Sequence, residues 1–296
     1  MANTYVSLDT LKGTGVLNIT GTVYDTRMLY LLEDVSREVD RYVARSTAGF
    51  AIGFYPIVAT LYFDGPGSLA LYVPDLVSVD ALVEDTNEDG TFETTWAGTG
   101  IGGTDFILAP YAANPTAAYI QKPYTKVLVN RSSAGSQDSF LKGQRNYQIA
   151  GTWGYSFVTR DSGVDVGTTT GSISLTATSF VVTAGGTALQ VGNLIYVDTE
   201  LMYVRAVTTG TVVDVDRGVN GFTVGTHASG TSILVVQYPG PVQEAVIRQA
   251  SRLWKGAQGN EAGVVGLDQT GQVAVFQGGL DGDVKALLHS YRRLVI

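Results

Sequence analysis

Residues 191–232 read VGNLIYVDTELMYVRAVTTGTVVDVDRGVNGFTVGTHASGTS, a stretch in which apolar runs are cut every few residues by turn formers. Residues 194–197 (LIYV), 201–207 (LMYVRAV) and 212–215 (VVDV) are short, mostly apolar runs that alternate with turn residues, the pattern of strands with a buried face. Asn220-Gly221 and the flanking glycines supply the positive φ that tight turns require. The spacing leaves no room for a helix of useful length. It predicts a small, self-contained β module that interrupts a different domain.

The 296-residue chain is long enough for two or three domains. It carries 36 glycines with only 16% charged residues, which favours many short strands and turns over long surface helices. The N-terminus MANTYVSLDT lacks a basic segment followed by an apolar one, and no apolar run matches a membrane span. Neither secretion by a standard signal nor membrane insertion is expected. With no cysteine, disulfides, thiolate chemistry and Cys-based zinc sites are excluded. A net charge of −8 argues against a dominant DNA-binding surface, which needs clustered Lys and Arg. Residues 51–167 carry 6 basic and 12 acidic side chains, so the middle of the chain is the acidic part. Such a surface suits one that DNA passes without sticking.

Along the chain, Ser7 is placed to cap a short helix through Lys12. A longer helix starts with Thr22 and Asp25 and repeats Met28, Leu31, Leu32, Val35, Val39 and Tyr42 at helical spacing. Beyond Gly49 the pattern changes to strands at 57–63, 69–73, 77–84, 91–96, 106–109, 126–130 and 144–157. After the module, Pro241 opens a helix with the stripe Val242, Ala245, Val246, Gln249, Ala250, Leu253 and Trp254. A hairpin of 264–267 with 272–276 follows, and Asp281 caps a last helix bearing Val284, Leu287, Leu288 and Tyr291. The expected fold is α+β: a helical core (1–50 with 239–296), an antiparallel β region (51–159) and a separate inserted β module (160–238).

Several ordered stretches carry a resemblance. They are Tyr5 to Leu8 (YVSL), the helix from Leu29 to Tyr42, Leu71 to Asp75 (LYVPD) with Val79, and Asp89 to Phe92 (DGTF). Further on come Ile149 to Tyr155 (IAGTWGY), Pro241 to Trp254 (PVQEAVIRQASRLW), and Asp283 to Leu288 with Tyr291 to Arg293. In this order they resemble the head–tail connector (adaptor) proteins of tailed phages, over most of the chain. Within the module, Glu200 with Met202, Arg217 to Gly221 (RGVNG) and His227 to Thr231 (HASGT) resemble a β module that recurs in tailed-phage structural proteins. Phe222 and Thr199 depart from that pattern.

The resemblance implies a helical connector core and a structural virion protein of the neck, assembled in the host cytoplasm. It implies a homo-oligomeric ring, twelvefold, between the portal protein and the next neck or tail protein, with DNA passing through its channel unread. Cyclic symmetry then requires two different faces on each subunit. The alternative from another class is a β-rich virion decoration or glycan-binding protein.

Asp85, Asn87, Asp89 and Gly90 match the first half of a calcium loop, and Glu93 adds a carboxylate. Trp96 stands where such a loop has its bidentate glutamate, so an acidic hairpin turn is the plainer reading. Gly98 to Gly103 (GTGIGG) satisfies G-x-G-x-x-G but precedes a strand rather than a helix, and reads as a loop.

His227 and His289 are too far apart for a metal cluster, and Asp198, Glu200, Asp214 and Asp216 read as strand-edge and turn acids. No Gly-x-Ser-x-Gly, Walker loop or His-Glu-x-x-His is present, so neither an enzyme nor a cofactor is expected, calcium apart. The last segment, His289, Tyr291, Arg292, Arg293, Leu294, Val295 and Ile296, ends apolar after a basic helix. It suits docking into the portal, with its arginines and Arg248 and Arg252 pairing to acids.

Overall fold

The computed structural model describes residues 3–43, 46–47, 50–51, 53–98, 104–113, 122–131, 135, 137–155, 158–160, 167–183, 189–208, 210–259, 264–265, 274–275 and 279–293. The chain divides into two compact units. One comprises residues 1–46, 160–219 and 223–296, the other residues 47–159 with 220–222.

The first unit opens with α1 (Leu8–Lys12) and α2 (Asp25–Tyr42). Ser7 caps α1 through its side chain, as its position predicts. At α2 the N-cap is Tyr24 without a side-chain hydrogen bond, and Asp25 instead pairs with Lys12 at 2.6 Å. Met28, Leu32, Val35 and Val39 form its buried stripe.

The second unit is built from β1 (Ile57–Pro66), β2 (Ala70–Glu84), β3 (Thr94–Thr95), β4 (Phe106–Ala109), β5 (Tyr124–Val129) and β6 (Lys142–Trp153). They pair antiparallel in the order β1-β6-β2-β5-β4, with β3 on β2. Two expected strands are one: β2 runs straight through Pro74. Proline lacks an N–H, and here it falls in the register irregularity between Tyr72 and Leu76, where the ladder with β5 is broken anyway. At Gly151 a Cβ would meet the Ser78 carbonyl oxygen at 2.2 Å, so only glycine lets β6 approach the bulged part of β2. Leu76, Phe106, Val127, Phe140, Tyr147, Ile149 and Trp153 centre the core of this unit.

The first unit resumes with β7 (Thr169–Thr170), β8 (Ser179–Val182), β9 (Leu194–Val197), β10 (Glu200–Thr208), β11 (Val212–Asp216) and β12 (Ile233–Gln237). These strands of a seven-stranded sheet run in the order β7-β8-β11-β10-β9-β12, and their core is centred on Ile195, Met202, Val204, Val213 and Ile233. Then come α3 (Gly240–Gly259) and α4 (Gly282–Leu288), with a two-residue hairpin pairing Val264–Val265 and Ala274–Val275 between them. Val242, Ala245, Val246, Gln249, Ala250 and Trp254 of α3 are buried, as the stripe predicts. No helix among the described residues is long and apolar enough to cross a membrane.

The expected helical connector core is corrected. Among the described residues the chain is 24% helical against 37% strand, and two antiparallel sheets carry its hydrophobic cores. The helices do touch, α3 lying against both α2 and α4. However, α1 has five residues and α4 seven, and α2 and α3 each bury a single stripe. So little helical surface cannot enclose a domain-sized core.

Nor is the β module a separate body. The N-terminal segment is tied to it on one side, through Thr4 Oγ1 to the Gly192 carbonyl at 3.0 Å and Leu8 N to the Val191 carbonyl at 2.9 Å. On the other side the same segment reaches α2, where the Tyr5 hydroxyl donates to Asp40 at 2.6 Å.

Candidate functional site

The module's motif residues converge on one buried ionic knot. Glu200 opens β10 immediately after the tight turn at Asp198 (φ 51°), and its side chain is fully buried. Arg217 follows β11 at the start of a turn in which Gly218, Asn220 and Gly221 all have positive φ. Its Nε donates to Glu200 Oε1 at 2.7 Å and its Nη2 to Oε2 at 2.6 Å, a bidentate pair. Nη1 donates to the carbonyls of Ser174 and Ala177, and Nη2 also to that of Gly225, so all five guanidinium N–H groups are engaged. The carboxylate further accepts the N–H groups of Gly218 at 2.9 Å and Gly225 at 3.0 Å. The His227 ring lies between two acids, Nδ1 at 2.8 Å from Asp198 and Nε2 at 2.9 Å from Glu200. Its backbone bridges to Ile173 in both directions.

This arrangement is saturated. A buried ion pair whose every guanidinium N–H is bonded holds the loops that supply its partners in register. The strand-edge reading of Glu200 is therefore replaced by that of a buried anchor for three turns. Asp214 and Asp216 do stand at partly buried strand positions, with Asp216 3.4 Å from Arg205.

Burial raises the Glu200 carboxyl, but the Arg217 hydrogen bonds, aided by Gly225, His227 and Gly218, outweigh it and hold the group at about 2 against its usual 4.5. Protonation is thus harder in the folded chain, so the contribution is complete above 4.5 and is lost as pH falls through 2. The melting-temperature gap between the native chain and Glu200→Gln is expected to shrink over that window. A gap constant with pH would show that the carboxylate is not the stabilising species.

The C-terminal arginines are satisfied within the chain. Arg252 reaches Asp283 at 2.6 Å and Asp281 at 2.9 Å, clamping α4 to α3, while Arg248 pairs with Glu244 at 2.7 Å. The Arg252 bonds hold the Asp283 carboxyl well below its usual range. Asp281, placed as N-cap of α4, makes no side-chain cap and serves this clamp instead. Of the docking segment, His289 is exposed, Tyr291 and Arg293 are half-buried, and Arg293 N donates to the Val43 carbonyl at 2.9 Å. Arg292 sits 5.4 Å from the Tyr42 ring centroid, so residues 289–293 run back along the end of α2. Leu294, Val295 and Ile296 lie outside the described residues, as do residues 99–103 of the G-x-G-x-x-G stretch.

The acidic loop after β2 is brought together. Carboxylate oxygens of Asp85, Asp89 and Glu93 lie within 4.8 Å of one another. Asp85 Oδ2 accepts the Gly90 N–H at 2.8 Å, made possible by the positive φ of Gly90 (90°). Asn87 Oδ1 accepts the Asp89 N–H, and the Glu93 carboxylate accepts the Thr86 N–H. The Thr91 N–H holds the Asp89 carboxyl below its usual value.

Sequence reasoning missed a second buried acid next door. Glu84 is 2% exposed and accepts the Trp96 indole N–H at 2.9 Å and the Tyr147 hydroxyl. Only the strand pairing of β2 with β6, which sets Glu84 opposite Tyr147, reveals that partner.

No protein-family model, curated protein or solved structure matches the chain.

Proposed function

We propose that the protein is a structural subunit of a tailed-phage neck, a head–tail connector that forms a ring between portal and tail. The observation that carries this reading is the Glu200–Arg217–His227 knot: the residues that resemble the phage structural module are spent on holding its turns together. A motif whose chemistry is consumed internally serves architecture. The acidity of residues 51–167 further supports a channel that DNA passes without binding. Val23, Tyr24 and Tyr30 are exposed around the start of α2 and offer apolar surface to a neighbouring subunit. The ring stands on a mostly β subunit, with the helices as a minor layer.

The test is a reconstruction of the neck of tailed particles. A ring of this chain between portal and tail is expected. Its absence there, with density on the capsid surface, would favour the decoration or glycan-binding alternative.

Portal docking is assigned to the C-terminal segment and is tested separately. Leu288 is fully buried, so a truncation must begin after it. Removing residues 294–296 is expected to leave the melting temperature unchanged and to weaken co-sedimentation with portal rings at least about tenfold, the loss of about 1.4 kcal/mol of docking energy. Undiminished attachment would refute the assignment.

A further inference from the structure

Asp85 carries an unusual burden. It is only 4% exposed, and while Oδ2 takes the Gly90 N–H, Oδ1 is buried with no hydrogen-bond partner. A carboxylate oxygen withdrawn from water and left bare is destabilising, and folded proteins supply a partner for such groups. The same carboxylate converges with those of Asp89 and Glu93, and among the described residues no cationic side chain pairs with any of the three. Like charges this close repel. A cation bound at the convergence through Asp85 Oδ1 would offset the repulsion and supply the missing partner.

We propose that the Asp85–Glu93 loop is a divalent-cation site of the calcium class, with Asp85 Oδ1, Asp89 and Glu93 as its anionic ligands. The donors are all hard oxygens, the choice of calcium and magnesium rather than of softer metals. Opposite oxygens on a calcium shell stand about 4.6–5.2 Å apart, and the three carboxylates already lie within 4.8 Å of one another. Asp89 and Glu93 are exposed, so water completes the shell on the outer side, which calcium's variable geometry accepts more readily than magnesium's octahedron. Bound there, the ion fastens the exposed tip at Thr86–Gly90 to β2, where Asp85 N is already held by the Asn146 carbonyl at 2.9 Å. Trp96 is no missing ligand. The loop closes its shell from Asp85, Asp89 and Glu93, while Trp96 fills the core.

The test uses the full chain, stripped with a chelator and titrated calorimetrically with calcium chloride, with magnesium chloride at matched ionic strength alongside. One saturable calcium site per chain is expected, preferred over magnesium at least about tenfold, with a melting-temperature rise of about 3 °C near tenfold saturation. Asp85→Asn is expected to abolish binding but alters a buried group. Asp89→Asn and Glu93→Gln keep the hydrogen-bond acceptors on exposed side chains, and each is expected to weaken calcium at least about tenfold with the unliganded melting temperature retained. Absence of saturable heat and of any melting shift up to about 10 mM calcium would overturn the site. So would an equal calcium response in Asp89→Asn and Glu93→Gln, and an equal response to magnesium would overturn the calcium class.

Discussion

Arg217→Met is expected to destabilise the β10–β11 module by about 3–5 kcal/mol, because it leaves Glu200 buried and charged without its counterion. The loss is larger than that of a typical hydrogen bond for a stated reason. Glu200 has 0% side-chain exposure, and Arg217, 6% exposed, supplies two of its bonds while also tying down the carbonyls of Ser174, Ala177 and Gly225. Urea unfolding followed by a probe in this unit reads the effect as a fall in midpoint. The double variant Glu200→Gln with Arg217→Met decides the mechanism. It is expected to lose less than the sum of the single changes, since removing both charges leaves no buried charge without its counterion. Strict additivity would mean that the two residues act independently and that the knot is not a unit.

Trp96→Ala is expected to cost the second unit about 3–5 kcal/mol, the range for deleting a large buried aromatic. Trp96 is 2% exposed, stacked on Phe140 at a centroid distance of 4.7 Å and edge-on to Tyr147 at 6.0 Å. Its indole N–H also satisfies Glu84, which the substitution would leave with the Tyr147 hydroxyl alone as side-chain partner. Trp96→Phe separates the two contributions: it retains most of the apolar area, and its expected loss of about 1–3 kcal/mol measures the unsatisfied carboxylate oxygen. Trp96→Glu, which restores the glutamate of a standard calcium loop, is expected to unfold the unit rather than tighten cation binding. It would place a second carboxylate against Glu84. A folded, tighter-binding Trp96→Glu chain would contradict the position of Trp96 in the core.

Much of the local structure was legible in the residues. The stripe of α3, the cap at Ser7, the strands at 57–63 and 106–109, and the turns around Asn220-Gly221 follow from periodicity and backbone preference. The short hairpin pairing Val264–Val265 with Ala274–Val275 was legible in the same way. The single strand through Pro74 was not legible, because a proline is compatible with a strand when it falls in a broken stretch of ladder, and no local signal announces the break. The candidate cation loop was legible as a spacing of acids. The bare Oδ1 of Asp85 was not, since it depends on what β6 and the turn at Gly90 place around it.

The charged residues show the same division. Arg217 and Glu200 were each recognisable as motif residues, yet their pairing across 17 positions exists only because β10 and β11 reverse and bring the turn back. Arg252 and Asp283 read as charges on two helices, and the chain spends them on each other across 31 positions.

Hydrophobic period and turn chemistry act between neighbours in the chain, so the residues alone determined where helices and strands form. Which of those elements would enclose the cores is a matter of the area that distant segments can bury together. Among the described residues, each of the two large sheets gathers its own cluster of buried side chains, while the helices of the first unit contribute stripes. That gathering of distant segments, available only once the chain has folded back on itself, decided that the two clustered cores lie in sheets rather than in a helical centre.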